Sequence, residues 1–343
     1  MRPPLLHILK KLGSMLVMIG VTFIGLLLVT FLIGRVVPID PVLAVVGDKA
    51  SPEVYEKVRV QLGLDLPVWR QFFVYIQSVL TGDLGVSTLT SRPVREDIAR
   101  IFPATVELAV IATVIGVLAG VPLGVFSAAR QGRLLDHLAR IMGLFGYSVP
   151  IFWLGLMGLM VFYARLNLLP GPGRLDVIYE NMVVPATGFL LIDCMLAGEW
   201  DIFCNALSHI ILPASLLGYF SMAYLSRMTR SFMIAQLRQE YILTARIKGI
   251  AEWRVIWGHA LGNCRIPLMT VIALSFGSLL EGSVLTETVF SWPGLGLYLT
   301  QSLLNADMNA VLGGTLVVGA IFLGINLFSD FLYRFLDPRA GRQ

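Results

Sequence analysis

Apolar residues in this 343-residue chain come in six long blocks, at 12–34, 104–129, 141–164, 210–226, 266–286 and 308–328, separated by polar segments. The first block carries no charge, and at 1.5 Å per residue it reaches roughly 34 Å, enough to cross a hydrocarbon core of about 30 Å. The second is entered through Phe102-Pro103 and the third is interrupted by Pro150, where a kink is expected because proline cannot donate to the helix ladder. The fourth is short and contains Pro213, and the fifth contains Glu281. The pattern predicts an all-α polytopic membrane protein, a single transmembrane domain over 1–343 with six spans.

The polar segments set the expected sidedness. Arg2, Lys10 and Lys11 precede the first span; Arg130, Arg133 and Arg140, with Asp136 as the only acid, follow the second; Arg334, Arg339 and Arg342 follow the last. The 227–265 segment holds seven basic residues against Glu240 and Glu252. By the positive-inside bias these are cytoplasmic, as are both termini. The segments 35–100, 165–208 and 287–307 are then extracytoplasmic. The first opens with Pro38-Ile39-Asp40-Pro41 and predicts a helix over 51–62, with Ser51 as cap and Pro52 in the first turn. Within 165–208, the apolar piece 183–196 is broken by Pro185, Gly188 and Asp193 and reads as interfacial or re-entrant. If it crossed, the seven basic residues of 227–265 would lie outside, against the charge bias.

Composition agrees with the pattern. Charged residues are 14% of the chain and hydrophobic ones 56%, whereas soluble domains carry about 25% charged residues. The net charge of +4 is small and unevenly spread, which favours membrane sidedness over nucleic-acid binding. The first block is too long for a signal-peptide core of about 7–15 residues and reads as an uncleaved span. None of the five lysines follows a glycine, so the phosphate-cradling Gly-Lys-Ser/Thr loop is missing. His7, His137, His209 and His259 lack metal-ligand spacing, and neither a Gly-x-Ser-x-Gly elbow nor His-Glu-x-x-His occurs. The chain is expected to be a transport subunit and not an enzyme, with no cofactor or metal of its own. Cys194 and Cys204 fall in one predicted loop and could pair; free thiols in apolar surroundings are the plainer reading for them and for Cys264.

The most polar stretch of the second half, Glu240 to Pro267, has its own pattern. Tyr241, Thr244 or Ala245, and Lys248 form a helical ridge, Gly249 supplies a stop, and Val255, Ile256 and Ala260 share a face of a second helix. Arg246 and Lys248 sit where positive charge offsets the carbonyl end of the first helix. The result is a helix–glycine–helix elbow between two spans.

Tyr241-Ile242-Leu243-Thr244-Ala245-Arg246-Ile247-Lys248-Gly249, then His259-Ala260-Leu261-Gly262-Asn263 and Ile266-Pro267, resembles the coupling loop of ABC importer permeases. More narrowly, it is similar to the dipeptide/oligopeptide/nickel permease family, whose usual form is Tyr-x-Arg-Thr-Ala-Arg-Ala-Lys-Gly. Gly82-Asp83-Leu84-Gly85-Val86-Ser87, Pro103-Ala104-Thr105-Val106-Glu107-Leu108-Ala109, the run from Glu287 to Gly296, and Leu336-Asp337-Pro338-Arg339 resemble that family's first permease subunit. Leu243, Ile247 and Gly262 depart from it, standing where arginine, alanine and arginine are common. The resemblance implies a type I ABC importer permease fold in a bacterial inner membrane. The implied partners are a second related permease, two cytoplasmic ATPases that bind the ATP and Mg, and an extracytoplasmic substrate-binding protein.

In that reading Glu240, Tyr241, Thr244, Ala245, Arg246, Lys248, Gly249 and Glu252 contact the ATPase. Small residues Thr244, Ala245 and Gly249 allow close approach, and Arg246, Lys248 and Glu252 fix register. Glu281, Glu287, Phe290 and Trp292 are candidates for the translocation pathway. Against this, Glu281 could be paired within the bundle or with the partner permease, Glu107 reads as structural or interfacial, and Phe290 and Trp292 read as aromatic anchors at the membrane interface. Two other functions compete: a self-contained secondary transporter using Glu281 as an ion-coupled carboxylate, and a membrane scaffold. Dipeptides, oligopeptides, glutathione, nickel chelates and opine-like compounds all suit the architecture.

Overall fold

The computed structural model describes residues 5–36, 41–47, 51–61 and 63–336. The Pro38-Ile39-Asp40 opening and the terminal Asp337-Pro338-Arg339 lie outside the described residues. The described chain is helical: α1 (Leu5–Val36), α2 (Pro41–Val46), α3 (Pro52–Gln61), α4 (Val68–Leu80), α5 (Val94–Ala129), α6 (Leu134–Ser148), α7 (Ile151–Gly158), α8 (Leu190–Ala197), α9 (Trp200–Leu237), α10 (Glu240–Ile247), α11 (Leu261–Val289), α12 (Leu295–Leu304) and α13 (Met308–Leu336). A π-helical stretch, Leu159–Arg165, continues α7, and another, Arg254–Ala260, leads into α11.

Five helical stretches among the described residues are long and apolar enough to cross a membrane, those at 17–34, Val94–Ala129, Trp200–Leu237, Arg254–Val289 and Met308–Ser329. A sixth crossing requires α6 and α7 to act as one span, and they meet at 96°. The break falls at Val149-Pro150, where a bend was expected; the Pro150 ring ends α6 and starts α7. The fourth span differs from expectation. The apolar pattern predicts 210–226, but α9 runs for 38 residues with Pro213 buried inside it. Asn205, His209, Arg227 and Arg230 depressed the local hydropathy without ending the helix, since a membrane helix can project beyond the apolar layer. The piece 183–196 holds only the eight-residue α8, about 12 Å long and too short to cross.

Internal contacts group the chain into two units, residues 1–100 with 298–323, and residues 101–297 with 324–343. In the first, Phe31 of α1 packs on Phe72 and Tyr75 of α4 at centroid distances of 5.3 and 5.8 Å, and the Thr30 and Tyr75 hydroxyls share a 2.9 Å hydrogen bond. The Gly82–Ser87 motif forms a tight loop closed by a Val86–Pro93 bridge. Asp83 accepts from the Gly85 N–H at 3.0 Å. The buried Asp307 carboxylate accepts from the Ser87 hydroxyl at 2.5 Å and the Leu89 N–H at 3.2 Å. Gly85 is needed twice over: its φ is +82°, and a Cβ there would lie 3.0 Å from the Asn309 side chain.

In the second unit the core is the contact of α5 with α9 and of α9 with α11. Gly116, Gly120 and Gly124 form a stripe at four-residue spacing along α5. A Cβ at Gly120 would lie 2.8 Å from the Met222 carbonyl oxygen, and one at Gly124 would lie 2.6 Å from that of Ser226. With no side chain between them, the two backbones meet directly, the small-xxx-small packing of membrane helices. Ser221 of α9 hydrogen-bonds Ser275 of α11 at 3.0 Å. Cys194 and Cys264 are buried and Cys204 exposed, all three as free thiols.

Candidate coupling site and the buried carboxylates

The elbow forms as the pattern predicts up to Gly249 and differs after it. Helix α10 spans eight residues, with Glu240 in its first turn, where a carboxylate favours the helix dipole. It closes through Lys248 N–H to the Thr244 carbonyl (3.0 Å), Gly249 N–H to that of Arg246 (2.9 Å) and Ile250 N–H to that of Ala245 (3.2 Å). Gly249 takes φ +75°, the left-handed conformation that glycine adopts without strain. Beyond it, helical structure resumes at Glu252 and runs without interruption through the π-helical stretch into α11. The second arm of the elbow is therefore the start of the fifth span itself.

Two faces of α10 have different fates. Ile242 is fully buried and Ala245 nearly so, packed with Val125, Ala128, Met233, Val255, Ala260 and Cys264. The Tyr241–Thr244–Lys248 ridge faces outward, and Ala245 turns away from it into the chain's own core. The close-approach surface expected of Thr244, Ala245 and Gly249 accordingly loses Ala245. Leu243, Ile247 and Trp253 project into the open instead, 60%, 78% and 62% exposed. Arg246 and Glu252 grip each other across the glycine, with Nη2 to Oε1 at 2.7 Å and Nε to Oε2 at 3.2 Å. They brace the turn, and Lys248 stands exposed beside them.

The candidate pathway residues separate just as clearly. Glu281 is exposed on α11, in a stripe with Ser278, Gly282 and Leu285. Glu287, expected at the start of an outer loop, lies in the last turns of α11 and is completely buried. Its Oε2 accepts from the Gly296 and Leu297 N–H groups at 2.6 and 3.1 Å, the first turn of α12, and its Oε1 from the Ser283 hydroxyl at 3.0 Å. Gly294 and Gly296 leave room for this: a Cβ on either would come within 2.9 Å of the carboxylate. Phe290 and Trp292 are 3% and 1% exposed. The interfacial-anchor reading of these aromatics fails because both are interior. The Trp292 indole N–H donates to the Ala104 carbonyl at 3.0 Å, and the Leu295 N–H donates to the Thr105 hydroxyl at 2.7 Å. Within this chain these residues form a latch at the end of α11: Glu287 holds the start of α12, the Phe290 ring lies against Gly155 of α7, and Trp292 and Leu295 fasten the segment to α5.

A second carboxylate group, distant in chain order, lies beside the latch through Arg174 and Trp292. Glu107, largely buried, pairs with Arg174 and accepts from the Leu191 N–H at 2.9 Å. The Arg174 guanidinium also lies 5.7 Å from the Trp292 ring centroid. Asp193 of α8 accepts from the Thr187 N–H and hydroxyl and from the Gly188 N–H at 2.7–3.0 Å. Burial opposes its ionisation, but these bonds outweigh burial and hold the carboxyl below its ordinary range. These constellations and the α5 glycine stripe were missed in sequence; the four-residue spacing of Gly116, Gly120 and Gly124 was the available signal.

Membrane-length helices, a braced elbow with an outward apolar face and interior carboxylates used for fastening describe a membrane-embedded component. Residues 120–342 match the family described as binding-protein-dependent transport system inner membrane component, and residues 5–109 match the N-terminal region described for such components. The chain belongs to this family and is an inner-membrane permease component of a transport system. It is 45% identical over 318 residues, 93% of each chain, to the probable D,D-dipeptide transport system permease protein DdpB of Escherichia coli K12. It is 43% identical to the dipeptide permease DppB of the same strain, over 97% of each chain. Identity to the di/tripeptide permease DppB of Pseudomonas aeruginosa is 41%, over 94% of this chain and 96% of that one. Among solved structures, a chain of the MetNI methionine ABC transporter in inward-facing conformations aligns with TM-score 0.49 and 14% identity, over 68% of this chain and 93% of that one; the assignment rests on the sequence relatives.

Proposed function

We propose that this chain is one of two related permease subunits of an ATP-binding cassette importer for dipeptides or similarly short peptides, and that α10 receives the motion of cytoplasmic ATPases. The observation that carries the proposal is the pairing on one short helix of a buried seat, Ile242 and Ala245, with an outward apolar face, Leu243 and Ile247, which Trp253 extends on the far side of Gly249. An apolar face of this kind on a polar connection suits a partner surface. Because the second arm of the elbow runs directly into α11, a push on α10 reaches the fifth span across a single short turn at Gly249, which Arg246 and Glu252 brace. The relatives' names as dipeptide and di/tripeptide permeases support short peptides over the other solutes.

In this arrangement six spans, with α6 and α7 as one bent crossing, leave 227–265 and both termini in the cytoplasm. Two ATPases bind the ATP and Mg, and an extracytoplasmic binding protein delivers the peptide. The exposed Glu281 stripe faces the translocation pathway, since a carboxylate is costly against lipid. The test is a reconstituted importer carrying Leu243→Glu and Ile247→Glu. Expected are a folded, assembled permease and dipeptide-stimulated ATP hydrolysis that no longer drives uptake. Unchanged ATP-driven uptake would count against the elbow's role. Gradient-driven uptake by this chain alone would instead favour a secondary transporter.

A further inference from the structure

Between α6 and α9 lies a cavity of about 480 Å³ whose lining divides by chemistry. Arg140 of α6 and Arg227 and Ser231 of α9 are exposed lining residues and form its polar rim, while Gly143, Leu144 and Ile234 contribute an apolar wall. Arg230 also reaches the lining, and its guanidinium meets Asp136 through bonds of 2.7 and 2.9 Å. That carboxylate is completed by the Ser127 hydroxyl at 2.6 Å and the Gly132 N–H at 2.9 Å. Arg140 Nη2 lies 2.6 Å from His137 Nδ1. Among the described lining residues there is no carboxylate. The α6 surface next to the rim is apolar and open, with Ile141, Leu144 and Phe145 exposed by 61%, 67% and 51%.

A basic rim opening onto an apolar helix face matches an amphiphile with an anionic head. A free anion would make no use of the wall, and the amine of a zwitterionic lipid would be repelled by the rim. We propose that this cavity binds one anionic phospholipid, with its phosphate between Arg140 and Arg227, the Ser231 hydroxyl donating to it, and an acyl chain along Gly143 and Leu144. Arginine-lined pockets between membrane helices have the charge and shape for such headgroups.

The test uses the assembled importer in detergent, with lipid retention measured by native mass spectrometry after exposure to equal phosphatidylglycerol and phosphatidylethanolamine. Wild type should retain phosphatidylglycerol in preference. Arg140→Gln with Arg227→Gln should weaken that retention about thirtyfold, from two lost arginine–phosphate contacts. A Cβ at Gly143 meets nothing within 4 Å, so Gly143→Leu fills the cavity without disturbing the helix and should also exclude the lipid. That variant carries the test if the double variant fails to assemble. Equal retention of the two lipids, retention unaffected by Gly143→Leu, or full displacement by excess inorganic phosphate would overturn the proposal.

Discussion

Truncating Ile242 to alanine should release the elbow while leaving the spans folded. Ile242 is completely buried, and the change removes three carbons from a packed site. At about 0.8 kcal/mol per methylene plus a term for the residual cavity, the loss is about 3–4 kcal/mol. Little else holds α10 in place. Its eight residues are fewer than the roughly 12–15 an isolated helix needs in water. The Arg246–Glu252 pair is 44% and 56% exposed, so solvent screening limits it to at most about 1 kcal/mol. A loss of 3–4 kcal/mol shifts the docked-to-released ratio by roughly a few hundredfold. Hydrogen exchange on the assembled importer would read this directly: residues 240–250 should lose protection while 214–226 keep theirs. In vesicles, dipeptide-stimulated ATP hydrolysis should fall out of step with uptake. Leu243→Ala, one residue away but 60% exposed, should leave protection intact and weaken only the partner contact. If Ile242→Ala kept wild-type protection over 240–250, or exposed 214–226 equally, the seat would not be the separable element described above.

Three other outcomes follow from the packing and the latch. Gly120→Val should abolish recovery of folded protein, because its Cβ would meet Met222 backbone at 2.8–3.0 Å, whereas Gly262→Ala, with nothing within 4 Å, should be recovered as wild type; size-exclusion profiles distinguish them. Glu287→Gln can still accept from the Gly296 and Leu297 N–H groups and should melt near wild type, while Glu287→Ala strands both and should cost about 2–4 kcal/mol, read as a lowered Tm. Asp193 titrates below its ordinary value of 3.8, so its contribution to holding Thr187 and Gly188 is complete above that pH and is lost as pH falls through the depressed value; proteolysis near 181–189 by an acid-active protease should rise only below about pH 3.8, and Asp193→Asn should show the raised rate at neutral pH.

What the sequence made legible was governed by local rules. Gly249 announced a turn because few residues tolerate φ +75°, and Pro150 announced a break because its ring ends a helix. The apolar blocks announced spans because lipid demands them. What it hid depended on distant partners. Glu287, Phe290 and Trp292 read as an outer loop because Pro293 and two glycines follow, yet α5 supplies the Ala104 carbonyl and the Thr105 hydroxyl that draw this segment inside. Ala245 read as an outward contact because small residues suit close approach, a property that serves an interior seat as well. The ends of α9 were misjudged because hydropathy measures where a bilayer stops, not where hydrogen bonding stops.

The α5 glycine stripe bears on how the bundle can change shape. Two backbones in direct touch cannot slide by a fraction of a turn without ridge striking ridge, so α5 and α9 must travel together as one beam. Any change in the shape of the bundle then has to be absorbed away from this seam.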